Sequence, residues 1–225
     1  MPLPTDVRAT LENSDSKEYS DIVHALDAAK VNYRTPEYAN EIRSESEIIE
    51  RVSGGDLTRG SCSSLALAYA GNKAGLDVLD FRDGDSRSIF SSRNTIHSLS
   101  VMPGIQSHEV RGTDDIESVK ELISKMQPEK EYYLASGQHA AIVKKTNEGM
   151  QYLELQHPST GNGWNKLNDR VLTTRFGCSR THTMPFTSYL MDVESLSKSK
   201  EFKSILGYIN TAKSEQRKGQ SGNVR

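Results

Sequence analysis

The segment GSCSSLALAYAGNKAG, residues 60–75, decides the fold of this chain. Small and apolar side chains recur along it at helical spacing. Ser61 is a residue type that commonly precedes a helix, and Gly75 is the type that commonly follows one. The segment therefore predicts a buried helix that begins at Cys62.

Two more helices are predicted on the N-terminal side of this segment. Residues 17–30 and 36–52 both carry apolar side chains at roughly helical spacing. The glycines at positions 54, 55 and 60 then predict a loop, because consecutive glycines resist helix continuation. That loop leads directly to Cys62.

The C-terminal part of the chain is predicted to be rich in strands. The hairpin is the clearest feature, since two strand-like runs are joined by the turn sequence Thr-Asn-Glu-Gly. The predicted elements are a strand at 77–81, a polar loop at 82–95, a helix at 114–126, strands at 132–136, 139–145, 150–156 and 187–193, and a helix at 194–213. Helices followed by a small antiparallel sheet define the α+β class.

Composition limits the kind of protein. The chain has 225 residues, of which 35% are hydrophobic, which suits one domain over residues 18–213. Residues 1–17 and 214–225 are polar and are expected to form disordered tails. A net charge of -2 without a basic run gives no reason to expect nucleic acid as a partner. No apolar run is long enough for a membrane span, so we expect a soluble protein. The chain has two cysteines, which are too few for a disulfide framework.

Cys62 is the candidate nucleophile. A thiol attacks as its thiolate, and the free amides and dipole at a helix N-terminus lower the cost of that charge. The neighbours of Cys62 are small, so a substrate could approach the sulfur. The alternative is that Cys62 is only a small apolar residue in a buried helix.

His139 and Glu154 are the candidate base and acid. His139 opens a predicted strand, and pairing of Lys145 with Met150 across the hairpin would place Glu154 diagonal to it. A carboxylate at that position could orient the imidazole and stabilise its protonated form. This geometry depends on the hairpin register, since a shift of one residue would turn Glu154 to the opposite face.

These segments resemble a known family. Residues 54–81, with a glycine-rich approach and a cysteine at a helix start, look like the nucleophile region of papain-fold toxin and glutamine deamidase domains. Residues 137–164 look like the histidine strand, turn and acid-x-Gln strand of the same domains. Such domains occur in bacterial type III effectors, in polymorphic toxins and on some phage head proteins. The resemblance implies a papain-like fold and catalytic roles for Cys62, His139 and Glu154.

The chain departs from the family pattern at two positions. The usual acid is aspartate, whereas position 154 is the longer glutamate. In papain-type peptidases a glutamine six residues before the cysteine donates to the oxyanion, but Asp56 stands there and, when ionised, only accepts hydrogen bonds. The second donor is left open among Ser61, Thr58 and Gln138. Gln156 matches the glutamine that follows the acid, and Trp164 could form a wall of the site or pack in the core.

The residues and the resemblance together predict acyl transfer to water without a cofactor or metal. The resemblance implies that the substrate is a glutamine side chain on a protein. It also implies that this chain is a toxin or effector secreted into a target cell, or a phage-associated protein. A cysteine peptidase or transglutaminase with the same residues stays an alternative, as does a non-catalytic, phage-associated module. Cys178 and His182 have a spacing seen at metal sites, with His157 as a conceivable third ligand, but no further ligand pair completes a set. We expect Cys178 to pack at the edge of the core and Arg175 to form its ion pair at the surface.

Overall fold

The computed structural model describes residues 16–53, 61–78, 84–157 and 161–209. The predicted tails lie outside these residues, except for Ser16 and Lys17, which cap and begin the first helix. The glycine loop, which contains Asp56 and Thr58, also lies outside them. The helices are α1 Lys17–Ala28, α2 Glu45–Val52, α3 Cys62–Lys73, α4 Gly84–Phe90, α5 Arg93–Val101, α6 Asp115–Ser124, α7 Asp169–Thr174, α8 Val193–Lys198, α9 Lys200–Ile205 and a 3-10 turn at Leu206–Tyr208. The strands are β1 Ser107–Gly112, β2 Glu131–Ser136, β3 His139–Thr146, β4 Gly149–Glu154, β5 Gly163–Lys166 and β6 Phe186–Asp192.

The strands form one antiparallel sheet with the order β1-β6-β2-β3-β4-β5. Every neighbouring pair in the sheet is antiparallel. The β3–β4 hairpin pairs Lys145 with Met150 and Thr146 with Gly149, which confirms the predicted register. The α+β class with helices on an antiparallel sheet is therefore confirmed.

The two faces of the sheet are covered by different helices. One face packs against α3 together with α1, α2 and α5 in the larger apolar core, to which β3 contributes Ala140 and Ile142. The opposite face packs against α6 and α7 in a smaller core that contains Ala141 and Val143. This alternation along β3 follows from the two-residue period of a strand. Helix α3 is buried from Ser63 to Asn72, as its composition predicts.

The β2–β3 turn fixes where β3 begins. Gly137 has φ +59, and a Cβ atom at this position would lie 2.5 Å from the Phe176 carbonyl oxygen. Glycine meets both demands, because it has no Cβ and tolerates positive φ. The next amide, from Gln138, donates to that carbonyl at 2.7 Å. The turn and the end of α7 are thus held together beside His139.

Several predicted elements differ from the structure. The helix predicted over 36–52 forms only from Glu45, because Ser44 and Glu47 build a capping box there and Tyr38 forms a bridge with Leu76. The loop predicted at 82–95 is wrong, since it contains α4 and the start of α5, whose first turn is capped by the Ser92 hydroxyl. The closing helix is interrupted at Ser199, which ends α8 and caps α9. Residues 79–81 of the predicted strand at 77–81 lie outside the described residues.

Candidate functional site

Cys62 is the first residue of α3 and lies where that helix meets β3. The backbone N–H groups of Ala140 and Ser63 lie near the sulfur and act to lower the pKa of the thiol. The next residue anchors the helix start to the sheet, because the Ser63 hydroxyl bonds the Tyr133 hydroxyl at 2.7 Å within the core. The thiol thus has a fixed position at a helix terminus, next to the first residues of β3.

Burial determines whether the Cys62 thiol is protonated in the free protein. It raises the pKa of Cys62, and the backbone donors and the positive charge of Arg175 offset this only in part. Cys62 is partly exposed, so a reagent or substrate has access to it. The residue is therefore a protonated thiol near neutral pH, held among groups that would stabilise its thiolate once the proton is removed.

Cys62 and His139 border the same surface cleft, which has a volume of about 120 Å³. Its walls come from the start of α3, the β2–β3 turn, the start of α5 and strand β6. Cys62 and His139 also border a crevice of about 10 Å³ together with Glu154 and Gln156. Four of the residues singled out from the sequence therefore surround one location.

His139 is a neutral imidazole in this environment. Burial and then the positive charge of Arg175 lower its pKa from 6.5 to about 4, while the Glu154 carboxylate acts in the opposite direction. Its ring packs edge-on against Phe176, with centroids 4.9 Å apart. Near neutral pH the site therefore holds a thiol and a free imidazole instead of a thiolate and an imidazolium.

Glu154 is bound by an arginine that sequence reasoning did not include in the site. Its carboxylate accepts Arg175 Nε at 2.6 Å, Arg175 Nη2 at 2.8 Å and the Gln156 amide at 2.8 Å. Arg175 was expected to pair at the surface; instead it pairs with a carboxylate that is 5% exposed. Burial raises the pKa of Glu154, but the hydrogen bonds and charge of Arg175 outweigh it, and the net pKa is lowered.

The structure therefore differs from the predicted contact between acid and base. Within the described residues, the Glu154 carboxylate forms its hydrogen bonds with Arg175 and Gln156 and none with His139. Its influence on the imidazole is electrostatic. No local sequence signal points to this pair, because Arg175 and Glu154 are 21 positions apart in the chain.

The oxyanion candidates occupy different places. Gln138 is exposed on the cleft wall. Ser61 is fully buried and does not cap α3 with its side chain; its hydroxyl is 3.4 Å from Gln156 Nε2. Gln156 is also buried, and its amide oxygen lies 3.4 Å from Arg175 Nη2. Of these side chains, Gln138 has the access to substrate that an oxyanion donor needs.

The contacts of Trp164 are with α2, β3 and the larger core. This residue sits on β5, where its indole N–H donates to Glu45 and the Lys144 ammonium lies 3.9 Å from its ring centroid. The ring packs against the larger core. Trp164 is absent from the described residues that line the cleft or crevice, so its predicted role as a wall of the site is replaced by the core alternative.

Cys178 and His182 have separate partners. Cys178 is buried, as expected, and its sulfur is 3.5 Å from the Ser136 hydroxyl, while His182 Nε2 is 2.7 Å from an Asp115 carboxylate oxygen. Among the residues described, no group of three or more His, Cys, Asp or Glu side chains is placed to hold a metal ion.

The chain matches no protein-family model, no curated protein and no solved structure. Within the described part of the chain, no helix combines the length and apolar character needed to cross a membrane. Functional assignment therefore depends on the geometry and chemistry of the chain's own residues.

The lowered pKa of His139 predicts acid sensitivity of the fold. The unfolded chain takes up a proton near pH 6.5, whereas the folded imidazole stays neutral to about pH 4. The unfolded state therefore binds more protons as pH falls through this window, and the free energy of unfolding should drop by about 3 kcal/mol. Urea unfolding between pH 7 and 4 measures this.

His139→Gln is the matched variant for this measurement, since its side chain cannot titrate. The difference between the two proteins should shrink steadily from pH 7 to pH 4, as the native protein loses the contribution of its neutral imidazole. Parallel stability curves for the two proteins would contradict the assignment of a low pKa to His139.

Proposed function

We propose that this chain is a cysteine-dependent amidohydrolase with a papain-like fold that deamidates a glutamine side chain on a protein. Cys62, at the N-terminus of α3, is the nucleophile, and His139 is the base. The observation that carries the proposal is that Cys62 and His139, on separate elements, border the same open cleft.

The neutral state of the pair determines the first chemical step. His139 removes the Cys62 proton as the sulfur attacks the carboxamide carbon, so a carbon–sulfur bond forms while the proton moves to the imidazole. The backbone N–H groups that lie near the sulfur favour this thiolate. The protonated imidazole then gives its proton to the leaving nitrogen, ammonia departs, and a thioester remains.

Water completes the reaction by the same route in reverse. His139 takes a proton from water as its oxygen attacks the thioester carbonyl, and the proton returns to sulfur when the carbon–sulfur bond breaks. The sum is glutamine plus water giving glutamate plus ammonia. No oxidant, reductant or second substrate is needed for this balance.

Donors for the negative oxygen of the tetrahedral intermediate are available near the sulfur. The first amides of a helix have no partner within the helix, and the Cys62 N–H is one of them. The Gln138 carboxamide on the cleft wall is our candidate for the second donor. In papain-type peptidases this second donor is the glutamine six residues before the cysteine, a position that Asp56 occupies in this chain.

The choice of a glutamine side chain as substrate comes from the sequence resemblance. The cleft beside Cys62, with a volume of about 120 Å³, leaves room for a carboxamide on its methylene stem. A peptidase or transglutaminase that uses the same residues is the alternative.

Mass spectrometry of candidate protein substrates tests the proposal. Proteins incubated with the full chain should gain about one dalton at individual glutamines, because –NH2 is replaced by –OH. Release of ammonia should equal the number of modified sites. Fragments would instead indicate a peptidase, and products joined to an added primary amine would indicate a transglutaminase. An unchanged substrate set, with Cys62 inert, would favour a non-catalytic module.

A further inference from the structure

Among the described residues that line the cleft beside Cys62, one cationic side chain is not used by the proposed chemistry. Arg93 is the first residue of α5 and lines the same cleft as Cys62 and His139. It is exposed to solvent. Within the described residues, no carboxylate forms an ion pair with it, in contrast to Arg175 and Arg180, which both have acidic partners.

The position of the Arg93 guanidinium is set by an aromatic ring. Its central carbon lies 4.0 Å from the ring centroid of Phe186, the first residue of β6. The His182 ring also packs against Phe186, with ring centroids 4.3 Å apart. A cation over a ring face is attracted to it without using its N–H groups, so Arg93 is oriented while its donors stay available.

The surroundings of Arg93 suit an anion. Ser91, Thr187 and Tyr189 line the same cleft as Arg93. Arg111 pairs with Thr187 across the β1–β6 ladder, so a second positive charge lies on this side. Glu109 is an acidic residue near these side chains. It lies opposite Tyr189 in the β1–β6 pairing, and its carboxylate is 3.6 Å from His97 Nδ1.

We propose that Arg93 is a specificity residue that binds the carboxylate of an aspartate or glutamate close to the target glutamine in the substrate protein. The inference rests on the proposed function, in which the cleft binds the target glutamine. It adds that the substrate has an acidic residue close to that glutamine. The planar guanidinium pairs with a carboxylate through two parallel hydrogen bonds, which a lysine cannot do.

A peptide selection tests this without relying on turnover. The full chain carrying Cys62→Ala is used to select from a random heptapeptide library with glutamine fixed at the centre. Aspartate and glutamate should be enriched at one or more flanking positions. In Cys62→Ala/Arg93→Met that enrichment should disappear, and selected acidic peptides should bind about 10- to 100-fold more weakly.

Two further variants sharpen the result. Cys62→Ala/Arg93→Glu should enrich lysine and arginine at the same positions. Cys62→Ala/Arg170→Met removes an exposed arginine of α7, outside the cleft lining, and should select as the parent does. Thermal unfolding of each variant checks that the fold is kept.

The outcomes separate the two proposals. Acidic enrichment that depends on Arg93 supports the inference even if the native chain does not deamidate the selected peptides, and that failure would count against the proposed function alone. No selection, no acidic enrichment, or enrichment that survives Arg93→Met overturns the inference, whatever the activity of the native chain.

Discussion

Cys62→Ala should lower the rate of glutamine deamidation by about four to six orders of magnitude, to the level of substrate alone. The sulfur is the atom that forms the thioester, so no neighbouring group can replace it. Cys62→Ser is a stricter test, because a hydroxyl has the same shape but gives up its proton far less readily. Both variants should unfold at nearly the temperature of the native chain. The rate is followed by ammonia release on any substrate identified by mass spectrometry.

His139→Gln should cause a loss of similar size, because the thiol of Cys62 is protonated at rest and needs a base. The two losses should not add in the double variant, since the residues act as one unit. Cys178→Ala is the matched control: Cys178 is the other cysteine of the chain and packs in the smaller core. It should keep the native rate. Activity that survives in either active-site variant would assign the chemistry to other residues.

Arg175→Met should destabilise the protein by about 3 to 5 kcal/mol, the typical cost of leaving a buried charge without its partner. Glu154 is 5% exposed and, among the described residues, would keep the Gln156 backbone amide as its one donor. Glu154→Leu/Arg175→Met should recover much of this stability, because both charges are then absent. Chemical denaturation of the single and double variants measures the effect.

The pH dependence of the Arg175→Met variant gives a second readout. In the native protein the lowered pKa of Glu154 contributes stability above its ordinary value of 4.5, and this contribution is lost as pH falls through the folded pKa. Without Arg175, burial dominates and raises that pKa, so the variant should become less stable as pH rises. Lys198→Met, which removes an exposed pair with Glu194, should have no measurable effect. Equal behaviour of the two variants would show that the Glu154–Arg175 pair is not structurally important.

Local elements with a strong pattern could be predicted from the sequence. Helix α3, helix α1 and the β3–β4 hairpin have their apolar spacing and turn residues within a short stretch, so few alternatives compete. Strand β1 was not predicted, because Val110 is the one apolar residue in its sequence, SHEVRG. Strand β5 has only four residues at a sheet edge, which is too short for a pattern. Helix α5 begins with a serine cap that resembles the turn formers around it.

The sequence by itself determined the class of fold, the start of α3 at Cys62, the start of β3 at His139 and the hairpin register, because each depends on neighbours in the chain. Only the tertiary structure decided that Arg175 neutralises Glu154, that Ser61 is enclosed and that Arg93 faces the cleft. These contacts join residues far apart in sequence, and their formation depends on how helices pack on the two faces of the sheet. The protonation states of His139 and Cys62 also depend on the tertiary structure. They are set by burial and by charges from distant parts of the chain, and a local sequence motif contains no information on either.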